Sequence, residues 1–252
     1  VDHLTGQPEY DARTIERAKQ QVRDRIWALL ERDGAAKPPG RVAGKIPNFV
    51  GAEAAADRLA ALPAWEAARV VKANPDKAQR AVRARALTEG KMLYMAVPRL
   101  ADELPFYLLD PEHLSMSPWE AAAKEGAAKA GRKVAARELP SVDLVVCGSV
   151  AVNRQGARIG KGGGFSDLEV AFLVEAGVIR PDTVLATTVH ALQVVDEPIP
   201  ETIHDFRVDL IVTPDEAIWC AEPHRPPGIL WEHLDEDKIA QVPALAALSA
   251  RR

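Results

Sequence analysis

Ile15, Ala18, Val22, Ile26, Leu29 and Leu30 recur at intervals of three and four residues, which predicts an amphipathic helix over 12–32 with Gly34 just past its end. Lys19 and Arg23 stand four apart on its polar side and project together, as a functional pair or as an ordinary solvated face. Residues 34–51 carry Pro38, Pro39, Gly40, Gly44, Pro47 and Gly51 and read as a loop or arm. An alternation then begins: a helix near 52–62, an apolar run at 69–73, a helix over 77–89 stopped by Gly90, and a strand over 92–97 stopped by Pro98. Ser117-Pro118-Trp119-Glu120 combines an N-cap, a first-turn proline and a capping-box glutamate, predicting a helix that runs on to Gly131. Apolar runs at 144–152, 184–189 and 210–212 read as strands, and a helix over 167–176 begins with Ser166 or Asp167 as its cap and ends at Gly177.

Strands that are apolar on both faces and separated by helices imply an α/β fold: an open, mostly parallel sheet covered by helices on both faces. No internal repeat interrupts this rhythm. The expectation is a single α/β domain over 1–252, with an N-terminal helix and arm to about residue 51. A tail from about residue 223 either packs as an arm or stays loose.

Composition narrows the picture. With 252 residues, 47% of them hydrophobic, the chain can bury a large core. A net charge of −4 with interspersed signs argues against nucleic acid or an anionic membrane as the main partner. Cys147 and Cys220 lie far apart in no zinc or redox spacing and read as small buried side chains. No apolar run reaches the length of a membrane span, and Val1–Gly6 has no signal-peptide character, so the expected location is cytoplasmic.

The chemistry is expected at Gly156-Ala-Arg-Ile-Gly-Lys-Gly-Gly-Gly-Phe-Ser-Asp-Leu-Glu169. Glycines allow backbone N–H groups to converge, Arg158 and Lys161 add positive charge, and the following helix contributes the positive end of its dipole. This suits a polyphosphate; a plain glycine-rich turn is the competing reading. The spacing lacks the third glycine of a dinucleotide fingerprint and falls one residue short of a Walker loop. His190 is expected to be a satisfied histidine at a strand end. Trp65, Trp119, Trp219 and Trp231 are expected in core packing.

Ser141-Val-Asp-Leu-Val-Val-Cys-Gly-Ser-Val-Ala-Val, the glycine loop, Gln193-Val-Val-Asp-Glu-Pro and His204-Asp-Phe-Arg-Val-Asp-Leu-Ile-Val-Thr resemble, in order and spacing, the 5-formyltetrahydrofolate cyclo-ligase family. The version of the loop resembles the branch called methenyltetrahydrofolate synthase domain-containing. The resemblance implies ATP- and Mg2+-dependent closure of 5-formyltetrahydrofolate to 5,10-methenyltetrahydrofolate, with phosphorylation of the formyl oxygen, and a reduced folate as small-molecule partner. It assigns Arg158 and Lys161 to catalysis and Arg158, Gly160, Lys161, Gly162, Gly163, Gly164, Phe165 and Ser166 to the nucleotide loop. Lys19 and Arg23 would reach ATP, while Asp167 and Asp205 would meet magnesium; Asp205 reads equally as a cap or turn aspartate.

Two departures from the family bear on activity. Phe165-Ser166 replaces a tyrosine pair, and Asn74 stands where a glutamate is expected near the substrate, so Asn74 and Phe165 are the expected substrate contacts. The resemblance therefore leaves room for an enzyme activating another amide-like oxygen, or for a non-catalytic nucleotide or folate binder.

Overall fold

The computed structural model describes residues 12–234 and 236–250; Val1–Gly6, read above for targeting, lies outside them. In chain order the elements are α1 (Ala12–Arg32), α2 (Ala52–Ala60), α3 (Pro63–Ala67), β1 (Val70–Ala73), α4 (Arg80–Thr88), β2 (Met92–Ala96), β3 (Phe106–Leu109), α5 (Pro118–Ala121), α6 (Lys124–Ala130) and β4 (Arg132–Val134). There follow β5 (Leu144–Cys147), β6 (Ala151–Asn153), β7 (Arg158–Ile159), α7 (Phe165–Glu175), β8 (Val184–Thr188), β9 (Val194–Val195), β10 (Leu210–Val212), β11 (Ala217–Trp219), α8 (Glu236–Gln241) and α9 (Pro243–Ser249).

The main sheet has the order β11-β10-β8-β5-β1-β2-β3-β4. Its centre, from β10 through β8, β5 and β1 to β2, is parallel, and antiparallel pairings close both edges through β11 and through β3 and β4. The α/β expectation of a mostly parallel sheet therefore stands. Buried cores flank it: Val145, Leu185 and Ile211 meet Leu173 and Phe206 in one cluster, while Val71, Leu93 and Val146 meet Leu59 and Trp65 in another. A small second sheet, β7-β6-β9, carries the glycine loop.

Several boundaries differ from the sequence expectation. The run 144–152 divides between the sheets, because the chain leaves the main sheet at Gly148-Ser149 and re-enters pairing as β6. The helix predicted from 118 to 131 is broken into α5 and α6 by extended backbone at Ala123 (ψ 158°), with Gly126 seated directly on the Glu120 carbonyl. The helix after the glycine loop starts at Phe165, two residues early, and its N-cap is Gly164 in the left-handed region (φ 66°), not Ser166 or Asp167. The tail packs: Ile229, Val242, Ala244 and Leu245 are buried in the larger core. Core packing holds for Trp65 but not for Trp119 and Trp219, which are exposed; Trp119 instead lies beneath Arg80, 4.4 Å from the guanidinium.

Candidate functional site

The parallel strands β1, β2, β5, β8 and β10 finish on one edge of the sheet, the edge at which open α/β folds bind ligands. Asn74 follows β1 and Gly148-Ser149 follows β5. The β6-β7 hairpin turns at Gly156, where a Cβ would strike the Val208 carbonyl at 2.2 Å, and it delivers Arg158 and the loop 160–164 above that edge. Gly162 (φ 102°) and Gly164 (φ 66°) hold left-handed conformations that L side chains rarely adopt, which accounts for glycine at these two positions.

Arg158 is fully packed beneath the loop. Its guanidinium donates to Asp167 at 3.1 Å, to Ser149 Oγ at 3.3 Å and to the Gly148 carbonyl at 3.3 Å, and lies 4.7 Å from the centre of the Phe206 ring. Burial works most strongly against its charge, but Asp167, Cys147, Asp205 and Asp76 together outweigh it and hold the guanidinium above its ordinary pKa. Burial conversely pushes the Asp167 carboxyl up, with Arg158 opposing. The Arg158 side chain thus braces the loop and the first turn of α7.

Lys19 and Arg23 project from α1 into the same place, as the four-residue spacing predicts, and both are buried. Lys19 Nζ donates to both Asp205 oxygens at 2.6 Å, and Asp205 also accepts from the Thr202 backbone N–H at 2.6 Å. Asp205 is therefore both a turn aspartate and a cavity-facing carboxylate. Arg23 Nε donates to the Gly160 carbonyl at 2.8 Å and Nη1 to Glu16 at 2.6 Å.

These residues enclose a cavity of about 370 Å³ between α1, the glycine loop and the C-terminal segment, with Lys19, Arg23, Gly162, Asp167 and Asp205 on its wall. A second cavity, of about 250 Å³, lies on the other side of the loop, where Asn74, Val97, Arg158, Lys161, Phe165 and Ser166 line it. Gly160, Gly164 and Asp167 border both. The exposed Lys161 faces the second cavity rather than the first, away from Lys19 and Arg23. Arg99 and Leu100, also on the second cavity, have positive φ (60° and 53°), a strained conformation for such side chains.

Residues not singled out from sequence stand behind this second cavity. Lys72 is a lone cation in an apolar strand and Glu169 a lone carboxylate on the buried side of α7; they form an ion pair with each other, and Lys72 also donates to Asn74 Oδ1 at 2.5 Å. Burial pushes the Glu169 carboxyl up, with Lys72 opposing. Asn74 Nδ2 in turn donates to Ser166 Oγ at 3.1 Å. Arg83, buried, with its pKa lowered to about 10 by burial, donates to the Asn74 and Asp76 carbonyls and fixes that loop. A cation inside an apolar strand is the signal that marks Lys72, since a buried charge needs a partner; Glu169, two residues after Asp167, carries no such signal.

The remaining histidines sit outside this network. His190 caps a short turn, accepting from the Leu192 N–H at 3.2 Å, which bears out the reading of a satisfied histidine. His204 lies at the mouth of the larger cavity, 3.1 Å from His233 of the C-terminal segment.

Fold and site together define an α/β protein with a cation-bearing glycine loop at the carboxyl edge of its sheet. The profile of the 5-formyltetrahydrofolate cyclo-ligase family matches residues 15–214, and the chain belongs to that family. It is 39% identical over 240 residues to the mouse methenyltetrahydrofolate synthase domain-containing protein, covering 93% of this chain and 64% of that protein. It is 35% identical over 247 residues to the human protein of the same name, covering 96% and 64%. The chain thus spans a little under two thirds of the length of these relatives, and its branch is theirs. The NMR structure of 5,10-methenyltetrahydrofolate synthetase from Aquifex aeolicus aligns with a TM-score of 0.53 at 18% identity, covering 86% of this chain and 99% of the other, a likeness of fold.

Proposed function

We propose that this chain is an ATP- and Mg2+-dependent cyclo-ligase that converts 5-formyltetrahydrofolate to 5,10-methenyltetrahydrofolate. The observation that carries the reading is the meeting of two cavities at Gly160, Gly164 and Asp167: the cationic one suits a triphosphate, the other a substrate whose oxygen is to be phosphorylated. Lys19, Arg23 and the N–H groups of the glycine loop would bind the phosphates and hold the terminal one at this junction. Asp167 and Asp205 line one cavity with oxygen donors, and among the described residues no group of three or more His, Cys, Asp or Glu is set to hold a metal. Such a pair fits magnesium, an ion that takes its other ligands from water and phosphate. When bound, it would neutralise charge developing on the phosphoryl oxygens.

In this reading the formyl oxygen accepts the phosphoryl group, the neighbouring folate nitrogen attacks the activated carbon, and phosphate departs. The chain's part is alignment: Phe165, Ser166 and Asn74 orient the folate, and the braced loop keeps its oxygen in line with the phosphate. Lys45, Lys77, Lys124 and Lys161 line a groove continuing from the second cavity, which suits the carboxylates at the far end of a folate. No helix among the described residues is long and apolar enough to cross a membrane, and a cytoplasmic location remains part of this proposal.

The test is to mix the protein with ATP, magnesium and 5-formyltetrahydrofolate and follow the methenyl absorbance. Its appearance, dependent on all three, supports the reading. Phosphate release without that absorbance would redirect it to another amide-like oxygen, a reading that the loss of the tyrosine pair and of the glutamate at Asn74 favours. ATP binding with neither signal would leave a non-catalytic binder.

A further inference from the structure

Beyond the class of reaction, the buried network behind the second cavity fixes what the cavity can recognise. An ammonium only donates hydrogen bonds, so the Asn74 atom that faces Lys72 Nζ at 2.5 Å is the carbonyl oxygen. The amide nitrogen must then face the other way, where it donates to Ser166 Oγ at 3.1 Å. Ser166 uses a lone pair in that contact and keeps its O–H to donate. Lys72 is itself held by Glu169 from the opposite side, and both are buried, so the ammonium cannot swing out to release the amide.

The result is a polarity opposite to that of a carboxylate at position 74. A glutamate or aspartate there would offer only acceptors to the cavity; Asn74 and Ser166, locked by Lys72, offer the second amide proton and a hydroxyl proton. Both residues border the cavity beside Arg158 and Asp167, where the loop separates it from its neighbour. We propose that Asn74 and Ser166 recognise the oxygen of the group to be activated, a formyl or amide carbonyl, as paired donors, and that Lys72 is a positioning residue that sets their polarity. This rests on the cyclo-ligase reading and adds to it the identity of the substrate atom held.

The test is binding of two reduced folates that differ only at this group, 5-formyltetrahydrofolate and 5-methyltetrahydrofolate, to the full chain with a non-hydrolysable ATP analogue and magnesium. The formyl compound should bind at least about ten-fold more tightly, since a buried donor left unpaired costs about that factor. Asn74→Asp and Ser166→Ala should each shrink the ratio toward one. Lys72→Met combined with Glu169→Met removes both buried charges together, avoiding an unpaired one, and frees the amide to turn; it too should shrink the ratio. A thermal melt of each variant separates loss of discrimination from loss of fold. Should the double variant not fold, the Asn74 and Ser166 results decide. Equal binding of the two folates, or a ratio untouched in Asn74→Asp, overturns the inference and leaves the cyclo-ligase reading standing. Binding of neither folate while nucleotide binds overturns both.

Discussion

Arg158 does its structural work inward, where it ties the Gly148 carbonyl, Ser149 and Asp167 together under the glycine loop. Arg158→Ala should therefore cost stability as well as nucleotide affinity: removing one member of a buried pair costs about 3–5 kcal/mol. The lower end is expected, because the Asp167 side chain keeps 19% of its surface exposed. Urea unfolding measures it, and a loss under about 1 kcal/mol would show that the pair contributes no more than a surface bridge does. His190 offers a pH handle. Burial lowers its pKa from 6.5, with Asp215 opposing, and its ring nitrogen accepts from an N–H, which requires the neutral form. A depressed folded value means that its contribution is complete above about pH 6.5 and is lost as pH falls through the folded value. Thermal midpoints taken from pH 7.5 down to 5 should fall less in His190→Asn, which keeps a capping acceptor without a titrating ring; parallel curves would exclude this residue as a source of acid sensitivity. The glycine loop and the four-residue spacing of the α1 cations were legible in the sequence itself, whereas the two aspartates stood out only through the family resemblance. The direction in which Arg158 points was not, since it depends on Ser149 and Phe206 arriving from elsewhere in the chain.

At the scale of elements, periodicity located α1, α2, α4, α7 and every central strand, but it missed α3, α8 and α9 and misjudged continuity. An alanine-rich stretch from 118 to 130 favours helix at nearly every position, yet the chain breaks at Ala123 and α6 packs against α5. Gly126 permits the close approach: a Cβ there would lie 1.8 Å from the Glu120 carbonyl oxygen. Gly126→Ala should consequently destabilise the protein, by about 1–3 kcal/mol if the helices can part slightly, although alanine is the better helix former. Denaturant midpoints decide the sign, and stabilisation would mean that the two helices prefer to fuse. The antiparallel strands β3 and β4 escaped notice because four and three residues are too few for a pattern to emerge. The split of 144–152 was hidden for a different reason: both halves are buried, so hydrophobicity is continuous while the pairing partner changes from β8 to β9.

At the scale of the molecule, the segment after the family match contributes to the site, closing the larger cavity through Ile229, Leu230, His233 and Leu234. Its attachment depends on Glu175 at the end of α7, which accepts from the Ile229 N–H at 2.9 Å and from Trp231 Nε1 at 3.3 Å. Gly228 packs close to the same carboxylate, 3.3 Å from where its Cβ would stand. Glu175 is not on the cavity wall, so a change there isolates the effect of the wall's attachment from that of direct contact. Glu175→Ala removes hydrogen bonds to a charged acceptor, about 1.5–3 kcal/mol in gross terms, of which part is recovered as water reaches the freed N–H groups. ATP affinity should fall about five-fold, that is, by about 1 kcal/mol, while hydrogen exchange over 226–234 quickens and the sheet strands keep their protection. Faster exchange with unchanged ATP affinity would show that the segment covers the cavity without contributing to nucleotide binding, and would confine the site to α1, the glycine loop and the turn at Asp205.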